Sequence, residues 1–164
     1  MAVMEVMRGL EALLLWGGLA TAVLTVVLSG SQGLGLTRLS LPFLVGTFIT
    51  GDRFRASVLG AVVYFLGGWL FAFLYFAVFA RVGHGGLVPG LALGTMHALF
   101  LLVFVLPLLP YVHPRMAAEY DGPVGHPRLE PPGFMGLNYG HRTPLATVLG
   151  HALYGGVLGI FYGT

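Results

Sequence analysis

Residues 110–144, PYVHPRMAAEYDGPVGHPRLEPPGFMGLNYGHRTP, lie between two long apolar runs and differ from both in composition. This stretch holds three of the six histidines, three of the eight arginines and three of the six acidic residues. A polar, proline-rich segment between such runs predicts a loop outside a membrane that joins two helices inside it.

The overall composition also places the chain in a membrane. Of its 164 residues, 57% are hydrophobic and 9% are charged, and the mean hydropathy is +0.88. Soluble domains carry about 25% charged residues, so this chain has too few to cover a water-facing surface. The absence of cysteine excludes disulfides, thiolate metal sites and a cysteine nucleophile.

Four apolar runs are long enough to span a hydrocarbon core, which takes roughly 20 helical residues. They cover about residues 10–30, 56–80, 87–109 and 144–163. No small-residue cleavage signal follows the first run, which is expected to remain as the first helix. A fifth piece, at about 39–50, is too short to cross and predicts an interfacial or re-entrant helix.

The expected fold is therefore an all-α integral membrane protein that forms a single domain over residues 1–164. Four transmembrane helices pack through glycine into a compact bundle, and residues 110–143 form an ordered 34-residue loop. The short link at 81–86 predicts a tight turn, so that the second and third helices are antiparallel neighbours.

The distribution of arginine predicts the orientation of the chain. With four spans, residues 31–55 and 110–143 share one side and carry six arginines, whereas the other side carries two. The positive-inside rule makes the six-arginine side cytoplasmic. Both termini are then predicted to face outward.

Small residues at i, i+4 spacing line one face of every span. In lipid, such residues let helix backbones approach closely and supply the packing. The glycines predicted to pack helices together are Gly68, Gly94, Gly155 and Gly159. Stripes of this kind predict helices too close together to leave the cleft that the edge of a haem needs.

Polar residues on these faces are predicted to form an interior cluster of Tyr64, His97, His151, Thr21 and Thr25. At 1.5 Å per residue, the tyrosine and both histidines fall within roughly 5 Å of one depth. Ionisable groups inside a membrane mark functional sites by default. The histidines can ligate a b-type haem or a divalent metal, handle protons or contact a quinone. The favoured interpretation is that they form neutral interhelical hydrogen bonds and hold no cofactor.

The polar loop contains imidazole and carboxylate groups suited to zinc or divalent iron. Only one pair of them, His126 and Glu130, has the i, i+3 or i+4 spacing of helical ligands, so no metal site is predicted there. Seven prolines with interspersed aromatic residues favour an ordered cytoplasmic cap instead. The outer face of this cap is predicted to contact a partner through His113, Arg115, His126, Arg128 and Tyr139.

Five segments after the first helix carry a resemblance: LPFLVGTFITGDRFRA at 41–56, GGWLFAFLYFAVF at 67–79, HPRMAAE at 113–119, LEPPGFMGLNYG at 129–140 and HALYGGVLGIFYG at 151–163. Together they resemble a family of small, uncharacterised bacterial inner-membrane proteins with four helices. The resemblance implies that fold and a location in the bacterial inner (cytoplasmic) membrane, and it implies no activity. In the family pattern a histidine can stand at the position of Tyr64, which counts against a shared three-histidine metal site in this chain.

The predicted function is that of a non-catalytic subunit, or an assembly or stabilising factor, of a larger bacterial membrane complex. The sequence has no serine or cysteine nucleophile motif, no phosphate-binding loop and no paired intramembrane acids. The alternatives are an oligomeric transporter or channel component for a small solute or protons, and a haem- or metal-binding redox protein that uses His97 and His151. Membrane lipid and other integral membrane proteins are the expected partners, and nucleic acid is not.

Overall fold

The computed structural model describes residues 2–117 and 128–162, with side chains from residue 9 onward. Within these ranges the chain is helical, with a single isolated bridge between Met116 and Leu129. The α-helices are α1 (Ala2–Gly33), α2 (Leu41–Ile49), α3 (Arg53–Val82), α4 (Leu87–Phe100), α5 (Leu106–Val112) and α6 (Thr143–Ile160). A π-helical turn (Leu101–Val105) joins α4 to α5, and a 3-10 segment (Phe134–Tyr139) precedes α6.

Four stretches in the described part of the chain are long and apolar enough to cross a membrane. They are Gly9–Gly33, Arg53–Val82, Leu87–Val112 and Thr143–Ile160. These stretches correspond to the four predicted apolar runs, and they fit a multi-pass membrane protein. The prediction of an all-helical chain with four potential spans is therefore confirmed.

The short helix α2 packs against the beginning of α3. A Cβ atom at Gly46 would overlap the carbonyl group of Ala56, and one at Gly60 would overlap that of Pro42. The two helices therefore run antiparallel with their backbones in contact, which only glycine allows. Pro42 thus lies beside a residue about 10 Å along α3, and whether α2 is interfacial or re-entrant stays a prediction.

Helices α4 and α6 share the most extensive contact of any helix pair in the described residues. Gly90 and Gly94 face Gly155 and Gly159, and each of these four glycines would place a Cβ atom against backbone of the opposite helix. A Cβ atom at Gly94, for example, would lie 2.8 Å from the Cα atom of Ala152. Three of the four glycines predicted to pack helices together thus lie in this interface.

Helix α1 packs against both α3 and α6. Gly68, the fourth of the predicted packing glycines, receives the side chain of Thr21 from α1, and Gly150 of α6 receives Leu24. The indole Nε1 of Trp69 donates to the carbonyl oxygen of Leu14 at 3.0 Å. These contacts place a small residue on one helix opposite a larger side chain on the other.

The second and third spans, α3 and α4, were predicted to be antiparallel neighbours, but their backbones do not pack closely against each other. Helix α4 packs on α6 instead, and α3 and α4 meet mainly through side chains. The cause lies in the link, because the backbone N–H of Gly86 donates to the carbonyl oxygen of Gly159 at 2.7 Å. That bond, with the matched glycine faces, directs the start of α4 onto α6 and leaves a cleft beside α3.

The π-helical turn interrupts the third span near its middle. The backbone N–H of Leu106 donates to the carbonyl oxygen of Leu101, five residues earlier. Pro107 follows immediately; it has no N–H group, and in a regular α-helix its ring would clash with the carbonyl of Val103. One wider turn relieves that conflict without ending the helix.

The segments on either side of residues 118–127 are held by backbone and side-chain bonds. Leu129 N–H donates to Arg115 O at 2.8 Å, and Arg38 N–H donates to Tyr139 O at 2.7 Å. The side chain of Arg38 also forms an ion pair with Glu130 at 2.9 Å. The chain that follows α1 is thereby joined to the chain that precedes α6.

Candidate functional site

The two histidines of the predicted interior cluster come together in the structure. His97 lies on α4 and His151 on α6, and their ring centroids are 4.9 Å apart with an interplanar angle of 75°. His151 is 3% exposed, and the side chain of His97 is half-buried. The glycine contacts between α4 and α6 set this distance, because Gly94 is three residues from His97 and touches the backbone of His151.

The hydrogen bonds of His151 determine which of its ring nitrogens is free. Nδ1 lies 2.9 Å from the carbonyl oxygen of Thr147, and since a carbonyl only accepts, Nδ1 carries the proton. In the neutral ring Nε2 then carries a lone pair. Nε2 makes no hydrogen bond within the described residues, so His151 presents an unused acceptor.

His97 is held by aromatic neighbours on α3. Its Nδ1 atom lies 3.2 Å from the hydroxyl oxygen of Tyr75. The ring of Phe71 lies against its other side, with centroids 4.2 Å apart. These side chains bridge α3 and α4, whose backbones stand apart, and they form a wall across the cleft.

The cleft contains a cavity of about 270 Å³ beside the two histidines. An apolar cavity of roughly 150 Å³ is known to bind benzene, so this volume accommodates a larger ring or a ring with a short chain. Residues from α1, α2, α3, α4 and α6 and the first residue of the π-helical turn line it, and they include Thr21, Val45, Tyr64, His97, Leu101 and His151. The glycine contacts close α4 against α6 but not against α3, so a cleft remains between α3 and α4; whether it admits the edge of a haem, which was predicted not to fit, stays untested.

Tyr64 gives the cavity a second polar group with unused hydrogen-bonding capacity. Its hydroxyl is buried, and it has no hydrogen-bond partner within the described residues. Thr25 is a polar neighbour close enough to interact with it; the Thr25 hydroxyl donates to the carbonyl of Thr21 at 2.7 Å and keeps a lone pair that can accept from Tyr64. Tyr154, which also lines the cavity, is satisfied, since its hydroxyl donates to the carbonyl of Gly68 at 2.6 Å.

A second groove of about 260 Å³ adjoins the cavity on the outer side of α3 and α4. The two spaces share the residues Phe71 and His97. The groove is lined by side chains that face outward, among them Met96 at 65% exposure and Phe100 at 54%. In a membrane these side chains face lipid, so the groove connects the lipid phase with the wall of the cavity.

The arrangement of His97 and His151 bears on haem and metal binding. Two axial haem ligands approach the iron from opposite faces of the porphyrin, whereas these rings pack directly edge to face. They do not fit a haem bound between them. No group of three or more His, Cys, Asp or Glu side chains comes together within the described residues, so the two rings lack further ligands of those types.

The cap residues predicted to face a partner have different environments. His113 and Tyr139 are buried, so the prediction that they form an outer contact surface is wrong for both. Arg115 is half-buried and its guanidinium donates to the carbonyl oxygens of Thr47 and Phe48, at the end of α2. Arg128 is exposed, and His126 lies outside the described residues.

His113 links the end of α5 to α2. Its Nε2 atom lies 3.3 Å from the carbonyl oxygen of Leu44 and 3.1 Å from the hydroxyl of Thr47, while its Nδ1 accepts from the backbone N–H of Arg115 at 3.1 Å. This pattern requires the neutral ring with its proton on Nε2. Burial, followed by the nearby Arg115 cation, lowers the pKa of His113, although its bond to Leu44 opposes that shift.

Tyr139 holds the segment that precedes α6. Its hydroxyl donates to the backbone carbonyl oxygen of Glu130 at 2.6 Å. Burial, and then the carboxylate of Glu130, raises the pKa of Tyr139 to about 12. His113 and Tyr139 therefore hold the cap together from inside.

Sequence reasoning missed three aromatic residues of the site, Phe71, Tyr75 and Tyr154. Helical periodicity could have identified the tyrosines, because Tyr154 follows His151 by three positions and Tyr75 follows Tyr64 by three helical turns. Comparison of the chain with family models, curated proteins and solved structures finds no significant match.

Proposed function

We propose that this protein is a non-catalytic integral membrane protein that binds a lipid-soluble small molecule in the cleft between α3 and α4. The observation that carries the proposal is the apolar cavity of about 270 Å³ into which polar groups with unused hydrogen-bonding capacity converge. Binding sites for small molecules are mostly apolar, with a few polar groups that fix the orientation of the ligand. An ionisable pair kept inside a membrane adds to this support.

The cavity can be tested with hexylbenzene, an apolar ring with a chain, as a probe. A ligand that binds only the folded protein raises its stability, by about 2.7 kcal/mol at one hundred times the Kd. Gly67 lines the cavity, and a Cβ atom there would meet nothing within 4 Å. Gly67→Phe should fold and occupy the open space, so we expect hexylbenzene to raise the Tm of the unmodified protein but not that of this variant.

Gly30 supplies the matched control. It lies on an exposed part of α1 and likewise has nothing within 4 Å of a Cβ position. Gly30→Phe should respond to hexylbenzene as the unmodified protein does. An equal rise in Tm for both variants, or no rise in the unmodified protein, would contradict binding in the cleft.

A second proposal, membership of a larger membrane complex, is supported by the exposure of α3. Only 17% of the residues in the most apolar stretch of α3 are buried, whereas 56% of those in the corresponding stretch of α6 are buried. A photo-crosslinking residue at Phe73, which is 57% exposed on α3, should join one protein that also copurifies in stoichiometric amount. The same residue at Leu14, 55% exposed on α1, is the control. Equal crosslinking of the same protein from both helices would contradict a partner on α3.

The location in a bacterial inner membrane also belongs to this proposal, as do the outward termini and the cytoplasmic loop 110–143. They are supported by the six-to-two division of arginines and by the family resemblance. The transporter and redox alternatives have less support than ligand binding. The glycine contacts of α4 with α6 leave no room for a solute between these helices, and the histidine pair does not fit a haem.

A further inference from the structure

We infer that the ligand of the cleft is a lipid-soluble phenol or hydroquinone, recognised by a hydrogen bond from its hydroxyl group to Nε2 of His151. This inference rests on the proposed function and names the chemical class that the cavity selects. It follows from the hydrogen-bonding capacity that the protein leaves unused, from the aromatic walls and from the groove that adjoins the cavity.

The acceptor on His151 is the selective feature. Its Nδ1–H is committed to Thr147 O at 2.9 Å, which leaves a lone pair on Nε2 inside an apolar space. A ligand hydroxyl can donate to that lone pair. A quinone or an ether has acceptors only, so it cannot make this bond and leaves the lone pair of Nε2 without a donor.

Tyr64 completes the recognition of a hydroxyl group. Its own hydroxyl is buried without a partner within the described residues and belongs to the same cavity. A phenolic oxygen both donates and accepts, so it can donate to His151 and accept from Tyr64. Both groups line the same cavity, so a ligand hydroxyl that reaches both can donate to one and accept from the other.

The surroundings favour an aromatic ring with an alkyl chain. The cavity has the aromatic side chains of Phe71, His97 and Tyr154 in its wall, and such rings stack or pack edge to face with a ligand ring. The outer groove meets the cavity at Phe71 and His97. These two side chains separate the spaces, but Phe71 is 38% exposed, so the chain of a ligand can leave the cavity along its outer side toward the lipid.

The test compares 4-hexylphenol with 4-hexylanisole, its methyl ether, by calorimetric titration of the protein in lipid nanodiscs, with empty nanodiscs as the blank. The two probes share ring and chain, but only the phenol can donate. We expect the phenol to bind the unmodified protein about tenfold more tightly, the effect of one hydrogen bond to a buried partner. Equal affinities, with both probes excluded by Gly67→Phe, would overturn the phenol assignment and leave the proposed site intact.

Two variants separate the roles of the polar groups. His151→Phe keeps a ring but removes the acceptor, so the tenfold preference should disappear while the ether binds within about threefold of its original affinity. Tyr64→Phe removes a hydroxyl that can donate a hydrogen bond to the oxygen of either probe. The affinities of both probes should therefore fall about threefold, and the preference for the phenol should remain. A preference that survives His151→Phe would overturn the assignment, because it would come from the size of the methyl group. If neither probe binds the unmodified protein, the proposed function itself fails.

Discussion

Replacing Gly155 by alanine should destabilise the protein because its Cβ atom has no space. That atom would overlap the carbonyl oxygen of Gly90, and it would lie 2.9 Å from the nitrogen and 3.0 Å from the Cα atom of Gly94. Carbon atoms prefer separations of about 3.5–4.0 Å, and all three contacts are with backbone, which cannot rotate away. Helices α4 and α6 must therefore move apart, at a cost of about 1–3 kcal/mol for overpacking.

A matched substitution separates this cost from the effect of alanine on a helix. Gly30→Ala adds the same methyl group to α1, where nothing lies within 4 Å. There alanine should be neutral or stabilise the helix by up to about 1 kcal/mol. The two variants should thus change stability in opposite directions.

The assay is reversible unfolding of both variants in one detergent, followed by helical circular dichroism and tryptophan fluorescence. We expect Gly155→Ala to unfold at a lower temperature or denaturant concentration than the unmodified protein, and Gly30→Ala to unfold at the same or a higher one. A Gly155→Ala protein as stable as the Gly30→Ala protein would refute the close contact of α4 with α6.

Three further predictions concern the buried polar groups and the topology. Burial lowers the pKa of His113, so as the pH falls this histidine is protonated in the unfolded chain before it is protonated in the folded one. The free energy of unfolding should therefore be constant above about pH 6.5 and decrease below it, by at most about 1.4 kcal/mol per pH unit. His113→Gln should flatten that slope, and an unchanged slope in pH-dependent unfolding would contradict the neutral ring. In the same unfolding assay Tyr64→Phe should leave stability unchanged or raise it, because it removes a buried hydroxyl without a hydrogen-bond partner in the described residues. Tyr154→Phe removes the hydrogen bond to Gly68 and should cost about 0.5–1.5 kcal/mol. Equal effects of the two substitutions would contradict the different bonding of the two hydroxyls. Cysteines at Phe134 and His84 should react with an impermeant reagent from opposite sides, and labelling of both in intact cells would contradict the proposed orientation.

Hydrophobicity made the spans predictable, because a helix in lipid must satisfy its own backbone and needs a fixed length of apolar chain. The glycine stripes likewise indicated which faces pack. They did not indicate which helices are paired, since a glycine face fits any other small-residue face. The pairing of α4 with α6 depends on the bond from Gly86 to Gly159, a contact between residues distant in sequence.

The histidine pair could be anticipated from depth and helical face, but the cavity beside it could not. The cavity lies where the backbones of α3 and α4 stand apart, and the first residue of the π-helical turn lines it. No apolar periodicity encodes either feature. The cap was misassigned at His113 and Tyr139 because polar side chains in a loop suggest an outer surface. In the structure they bond the carbonyl groups of Leu44 in α2 and of Glu130, which only the folded backbone brings within reach.

The central claim, that the cleft holds a lipid-soluble molecule, is tested most directly by native mass spectrometry of the protein extracted from its own membrane in a mild detergent. The account predicts a small molecule that stays bound to the unmodified protein and to Gly30→Phe, is absent from Gly67→Phe, and carries a phenolic hydroxyl when released. Binding in the cleft would be contradicted if Gly67→Phe retained the molecule as the unmodified protein does. It would also be contradicted if the unmodified protein carried no such molecule when extracted from a membrane that contains phenolic lipids.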